Sequence, residues 1–275
     1  MERDTDSAQN DDGGTASNYY EIYKSAGTMT GQISLLNSDL DKIMSNQQKY
    51  QDTSIVGDWH FDEGSGLTAN DSSAYGNNGT LCHNTTCPQQ GPTWQTSGCI
   101  SNDCLSFDGN GNYAKIGINP AAGYTVEGWV YLNATTDMDI WGDEYSWRGE
   151  GLQLVSGSFN TICSTGGTAH RWSIGFGPSA NTWYHVVQVY DTMNTKTYIN
   201  GVLQNTMSYV LAQQTGLAFK FGRSSNGSYF TTYFNGLIDE PRIYKRSLQA
   251  CEVCSLCRQY QSKTFCNNCT NCSGN

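Results

Sequence analysis

YFNGLIDEPRIYKRSLQAC, Tyr233 to Cys251, is the stretch on which the fold turns. It reads as an aromatic strand end, an Asn235–Gly236 turn, an Ile-Asp-Glu step, a strand carrying apolar Ile243 and Tyr244, and Ser247 leading into a helix. Its backbone groups need a partner from earlier in the chain, because strand N–H and C=O groups must be paired. Val56 to Leu81, VGDWHFDEGSGLTANDSSAYGNNGTL, supplies a strand from Gly57 to Phe61 and then a loop of turn residues. The two-residue period puts Trp59 and Phe61 on one face of that strand and His60 on the other. The reading therefore predicts that the two ends of residues 55–248 lie side by side in a two-layered, all-strand body.

Between those ends stand CLSFDGNGNYAKIG (Cys104 to Gly117), YTVEGWVYLN (Tyr124 to Asn133), WYHVVQVYD (Trp183 to Asp191), TYINGVLQNT (Thr197 to Thr206) and LAFKFGR (Leu217 to Arg223). In order and spacing the set resembles the LamG-like, concanavalin A-type lectin/glucanase family. The resemblance implies a mainly β fold, a two-sheet antiparallel jelly-roll sandwich, and a role in binding or adhesion; the role itself has to be argued from a site. Asn200–Gly201 between apolar flanks predicts a type I′ hairpin turn. Pro241 predicts an edge position or a bulge, since proline cannot donate to a ladder.

Composition narrows the classes. Charged residues make up 15% of the chain, against 30 glycines and 17 tyrosines, which suits a turn-rich extracellular β surface. A net charge of −10 and a pI near 4.7 repel phosphate, so nucleic acid is not an expected partner. No stretch approaches the ~20 apolar residues of a membrane span. MERDTDSAQNDDGG lacks the apolar core of a signal peptide, so export implies a leader removed or a start beyond one.

Four segments follow. Residues 1–17 read as a flexible acidic arm and 18–50 as a long stem helix, because Ile22, Ala26, Met29, Ile33, Leu36, Leu40 and Ile43 recur at steps of four and three. That helix either lies on the sandwich or forms a stalk that packs with copies of itself or other helices, an architecture also found in type IV pilin-like proteins with LamG-like heads. Residues 55–248 form the sandwich and 249–275 a cysteine-rich tail. Eleven cysteines in so polar a chain imply an oxidising compartment. Short loops predict Cys82 with Cys87 and Cys99 with Cys104, with crossed pairings open. In the tail, thiols three residues apart share a helix face, which predicts nested bridges Cys251–Cys272, Cys254–Cys269 and Cys257–Cys266. Zinc or an iron–sulfur cluster is the rival for these six thiols. Cys163 is left over, as a buried thiol or an intermolecular link.

Three chemistries bear on function. The E-x-D-x-x-E strand of related glucanases is absent, and DMDIWGDEYSWRGE does not reproduce its spacing, so the expectation is a protein that is not an enzyme, with a glycoside hydrolase as the low-ranked alternative. A structural calcium ion is expected on Glu63, Asp71 and Asn77 of the Gly-rich loop with Asp239 of the closing strand, because calcium takes six to eight oxygens from converging loops. A glycan site needs an aromatic face beside planar polar groups; Trp141, Tyr145, Trp147 and Arg148 in one loop, with Tyr229 in another, are the candidates. The sequence-based expectation is a secreted or surface-displayed adhesion protein binding glycan or protein ligands and self-associating through its stem. The alternative is a filament or fibre subunit decorated by the sandwich.

Overall fold

The computed structural model describes residues 52–84, 87–88, 90–118, 123–143, 150–165, 168–208, 218–223, 232–260, 266 and 268–269. The stem expected at 18–50 lies outside the described residues.

Among the described residues sixteen strands, numbered along the chain, form two antiparallel sheets. In spatial order the first contains β14 (Val202–Ser208), β13 (Asn194–Ile199), β12 (Trp183–Tyr190), β7 (Tyr124–Leu132), β16 (Asn235–Tyr244), β5 (Cys104–Asp108) and β4 (Thr93–Gln95), with β1 (Ile55–Asp58) also paired to β16. The second runs β11 (Thr168–Ser173), β10 (Ser158–Thr165), β9 (Gly151–Val155), β8 (Met138–Asp143), β15 (Phe219–Phe221), β6 (Asn112–Ile116), β3 (Gly79–His83) and β2 (Thr68–Ala69). One helix among the described residues, α1 (Ala250–Tyr260), follows β16.

The two ends of residues 55–248 do meet. Ile55 pairs with Tyr244, Gly57 with Ile243 and Asp58 with Arg242, and Trp59, Phe61 and Ile243 sit in one buried core. That core takes alternate residues from both sheets, among them Val126 and Val130 of β7, Leu152 and Leu154 of β9, and Phe219 and Phe221 of β15. Each such side chain contributes roughly 1.5–3 kcal/mol on burial.

Of two details of the closing strand, one differs from the sequence reading and the other falls to one of its two alternatives. Asn235–Gly236 is not a turn: β16 runs through it, with Gly236 opposite Phe107 and Leu132. A Cβ at Gly236 would lie 1.9 Å from the Tyr131 carbonyl, so close backbone approach is what requires glycine there. Pro241 stands in the register shift between Asp239 and Arg242, a bulge inside the sheet and not an edge. There β16 exchanges its neighbour, pairing with β5 through Ile238 and with β1 from Arg242 onward.

The hairpin at Asn200–Gly201 has both residues at positive φ and Ile199 opposite Val202, the geometry of a two-residue primed turn. The disulfide Cys254–Cys269 packs on it, leaving a Cβ at Gly201 only 2.9 Å from the Cys269 sulfur. The tail thus covers the outer face of the first sheet: Val253 and Leu248 bury against Val187, Val189 and Tyr198, and Cys257 and Cys266 against Trp129. Glu252 accepts from the Gln249 amide and caps the helix start.

Candidate functional site

The outer face of the second sheet follows from strand alternation. Ala114 and Ile116 of β6, Phe219 and Phe221 of β15, Leu152 and Leu154 of β9 and Phe159 of β10 all point into the core. Their neighbours Tyr113, Lys115, Lys220, Gln153 and Asn160 must therefore point outward. Register sets them in two short rows: Lys115 opposite Lys220, which continues to Gly142 of β8, and Asp139 opposite Gln153 opposite Asn160.

This face is polar and yet largely withdrawn from water. Asp139, Lys220, Gln153, Tyr113, Arg223 and Asn160 are all buried, while Lys115, Arg171 and Tyr233 remain half-buried around them. The Lys220 Nζ lies 5.0 Å from the Tyr113 ring centre, and the Arg223 guanidinium 5.0 Å from that of Tyr233 and 5.7 Å from that of Tyr113. Gln153 donates to Asp139, and Asn160 donates to the Ser158 carbonyl at 2.6 Å. Burial lowers the pKa of Arg171, while the charges of Asp139 and Asp137 oppose that shift. Four cations therefore share one face of a chain whose net charge is −10.

At the rim of the same sheet, Glu150 accepts from the Tyr124 hydroxyl. Burial raises its pKa to about 8, with Asp143 adding to the rise and the Tyr124 hydrogen bond opposing it. A carboxyl that holds its proton to about 8 when folded and releases it near 4.5 when unfolded binds more protons in the native state. Its contribution is complete below pH ~4.5 and is lost as pH rises toward 8. Urea midpoints measured at pH 5, 6, 7 and 8 are expected to fall with pH, and Glu150→Gln is expected to flatten that fall by about 1 kcal/mol or more, after allowance for solvent screening at the rim.

The outer face of the first sheet carries a second polar cluster beneath α1. His185 Nε2 meets Glu127 Oε2 at 2.8 Å, and Arg242 reaches Asp58 at 2.7 Å, Glu240 at 3.1 Å and Glu127 at 3.4 Å. His60 Nδ1 lies 2.8 Å from Glu240, which holds the His60 pKa above its ordinary value. Burial raises Glu127, and the His185 hydrogen bond and charge together with Arg242 outweigh it, leaving its pKa below the usual range. Tyr260 of α1 donates to Glu240 at 2.8 Å, and its ring lies 5.4 Å from the Arg242 guanidinium. The arrangement is an ion-pair lattice that fastens the tail.

The expected site residues are distributed differently. Trp141 is fully buried in the core, with Nε1 donating to Gln188 at 2.8 Å, so it presents no face to a sugar. Tyr145, Trp147, Arg148 and Tyr229 lie outside the described residues. Among the described residues, the His, Cys, Asp and Glu groups whose donor atoms fall within 4.8 Å of one another are Asp58–His60–Glu240 and Cys99–Cys104–Asp239, so Asp239 groups with two sulfurs and not with Glu63 or Asp71. Asp71 accepts from the Asp58, Ser73 and Asn77 amides, Asn77 donates to the Val56 carbonyl, and Glu63 accepts from the Asn70 amide. The bonds to Ser73 and Asn77 shape the loop itself, and those to Asp58 and Val56 tie it to β1.

Disulfides join Cys82 to Cys87, Cys99 to Cys104, Cys254 to Cys269 and Cys257 to Cys266, and Cys251 is also disulfide-bonded. Sulfurs so paired are not thiolate ligands for zinc or an iron–sulfur cluster. Cys272 and the side chain of Cys163 lie outside the described residues. The outward rows on the second sheet went unread in the sequence, although their signal was there: Lys220 between Phe219 and Phe221, and Lys115 between Ala114 and Ile116.

The profile of a family described as the concanavalin A-like lectin/glucanases superfamily matches residues 108–254, just over half of the 275. No curated protein sequence matches. Among solved structures, domain 4 of AbnA, a GH43 extracellular arabinanase from Geobacillus stearothermophilus in complex with arabinotriose, superposes with a TM-score of 0.63 at 20% identity, over 74% of this chain and 98% of that one. The binding domain of Paraclostridial Mosquitocidal Protein 1 gives 0.59 at 15% identity, over 75% of this chain and 52% of that one. The binding domain of botulinum neurotoxin DC, in complex with rat synaptotagmin II, gives 0.55 at 14% identity over 76% and 52%. This chain thus spans about half of each toxin chain, and at these identities the likeness establishes the fold. It also corrects the expectation of a protein that is not an enzyme: the same sandwich is a domain of an arabinanase, so neither the fold nor the missing E-x-D-x-x-E strand excludes membership of a hydrolytic polypeptide.

Proposed function

This chain belongs to the concanavalin A-like lectin/glucanases superfamily, and on that premise we propose that it is an extracellular binding protein that takes glycans on the outer face of its second sheet. The carrying observation is the polar outer face itself, built from two short rows, Lys115–Lys220 and Asp139–Gln153–Asn160, with Tyr113 and Arg223 beside them and half-buried Lys115, Arg171 and Tyr233 reaching solvent at the edge. Amides, guanidinium and carboxylate are the groups that read sugar hydroxyls, and tyrosine rings accept the apolar side of a sugar. Four cations against Asp137 and Asp139 favour a carboxylated or sulfated sugar over a neutral one. The complex of the arabinanase domain with arabinotriose supports a glycan reading, and that of the neurotoxin domain with synaptotagmin II keeps a protein ligand as the second. The disulfides support an extracellular setting. Display on a pilus-like or fibre assembly through residues 18–50 rests on heptad spacing alone and has no support among the similar structures named above.

A glycan array read with the intact protein, followed by calorimetry on the best binders, tests the assignment. Acidic oligosaccharides are expected to bind, more weakly as salt is raised, and Arg223→Ala is expected to weaken them about tenfold while the protein stays folded. Folded protein that retains no glycan overturns the reading. A preference for neutral arabino-oligosaccharides overturns its charge component.

A further inference from the structure

Asp239 is fully buried on the β16 bulge, and only one of its two oxygens is accounted for. Oδ2 accepts from the Ile100 amide at 2.7 Å and the Ser101 amide at 3.0 Å, whereas Oδ1 is withdrawn from water without a hydrogen-bond partner. A carboxylate that served only to anchor the 99–104 loop would not need to leave an oxygen so placed. The sulfurs of Cys99 and Cys104 and a carboxylate oxygen of Asp239 all lie within 4.8 Å of one another. The two sulfurs are unequal: Cys99 is half-buried and reachable, while Cys104 is fully buried.

From this placement we infer that Cys99–Cys104 is a thiol–disulfide exchange site, open to small or protein thiols, in which Asp239 handles the proton of Cys104. A thiolate from solvent attacks the accessible Cys99 sulfur and forms a mixed disulfide with it. The Cys99–Cys104 bond breaks and its electron pair goes to Cys104. A buried thiolate is costly, and the Asp239 carboxyl supplies the proton that leaves Cys104 as a thiol. In the reverse direction Asp239 takes the proton back, and the Cys104 thiolate displaces the incoming thiol from Cys99.

Burial sets Asp239 up for this, raising its pKa to about 7; Glu240 adds to the rise, and the Ser101 and Ile100 amides oppose it. Of the groups facing it, Trp129 of β7, Cys104 of β5 and the Ile100–Ser101 amides are uncharged. Glu240 sits beside it, and Glu127 and Arg242 form their ion pair further along the strands. Asp62 and Asp103 meet at the exposed side of the 99–104 loop, where the Asp103 amide donates to Asp62. Opening the bridge would loosen a loop that holds Trp183, whose Nε1 donates to the Gly98 carbonyl at 3.0 Å.

The test treats the intact protein with reduced glutathione from pH 6 to 8 and follows both short disulfide loops, Cys82–Cys87 and Cys99–Cys104, by alkylation and peptide mass. Cys82–Cys87 is the internal control, because among the described residues no Asp, Glu or His donor joins its sulfurs within 4.8 Å. The ratio of the two opening rates cancels the attacking thiolate, leaving the proton donor. That ratio is expected to fall roughly tenfold from pH 6 to 8, as a carboxyl titrating near 7 goes from about nine-tenths to about one-tenth protonated. Glutathione is expected on Cys99, and Asp239→Asn is expected to make the ratio independent of pH. A flat ratio in the unaltered protein, an adduct on Cys104, or an unchanged slope in the variant overturns the assignment. Should Asp239→Asn not fold, the unaltered protein's slope and adduct position decide the outcome by themselves.

Discussion

Arg242→Ala is expected to lower the unfolding free energy by about 3–5 kcal/mol, read as a drop in the urea midpoint at pH 7 to 8. Arg242 is 5% exposed and is the cation shared by Asp58, Glu127 and Glu240. Burial works against its charge, yet Glu127 and Asp58 more than offset this and hold its pKa above the ordinary value. With the guanidinium gone, those carboxylates keep their burial and lose their counter-ion. Their pKa values rise, so the variant binds protons that the unaltered protein does not. The deficit should therefore shrink as pH is lowered toward 4 and widen toward 8. A deficit that does not change with pH would mean that Arg242 acts through packing alone. The same change removes the ring contact and hydrogen bond that Arg242 makes with Tyr260, so limited proteolysis should cut first within residues 249–260.

How far the sequence could be read depended on whether a pattern was local. Trp59 and Phe61 announce one face of a strand at a spacing of two, Asn200–Gly201 announces its turn by the conformations it alone adopts readily, and cysteines five residues apart close their own loops. Each signal sits within a few residues of the structure it specifies. Asn235–Gly236 carries the same dipeptide as the hairpin at 200–201, but its glycine answers to the Tyr131 carbonyl on a neighbouring strand, a requirement no window of sequence contains. Turn chemistry and calcium chemistry use the same side chains, so the identities of Asp71 and Asn77 alone do not assign them to either. The outward polar face of the second sheet was hidden for another reason: single polar residues between apolar ones read equally well as a solvated face, and only the sheet order puts Lys115, Lys220, Gln153 and Asn160 on one face.

Trp141 shows how one inserted residue misleads such a reading. DMDIWGD breaks strict alternation, and with acidic neighbours on either side its tryptophan looks like a loop aromatic. The break is a register shift between Asp139 and Trp141 within β8, which lets Ile140 and Trp141 both enter the core while Asp139 faces outward. Trp141 packs edge-on against Phe221 and bonds to Gln188, which also accepts from Tyr190. Trp141→Ala is therefore expected to cost about 3–5 kcal/mol in stability, through the cavity it opens and the amide it leaves short of a donor. Trp141→Phe should cost less, about 1–3 kcal/mol, because it refills most of the space and loses only the Nε1 bond. Glycan affinity, measured at a temperature where both variants stay folded, should change less than twofold. A large loss of affinity with little loss of stability would return Trp141 to the ligand face and require the β8 bulge to be placed elsewhere.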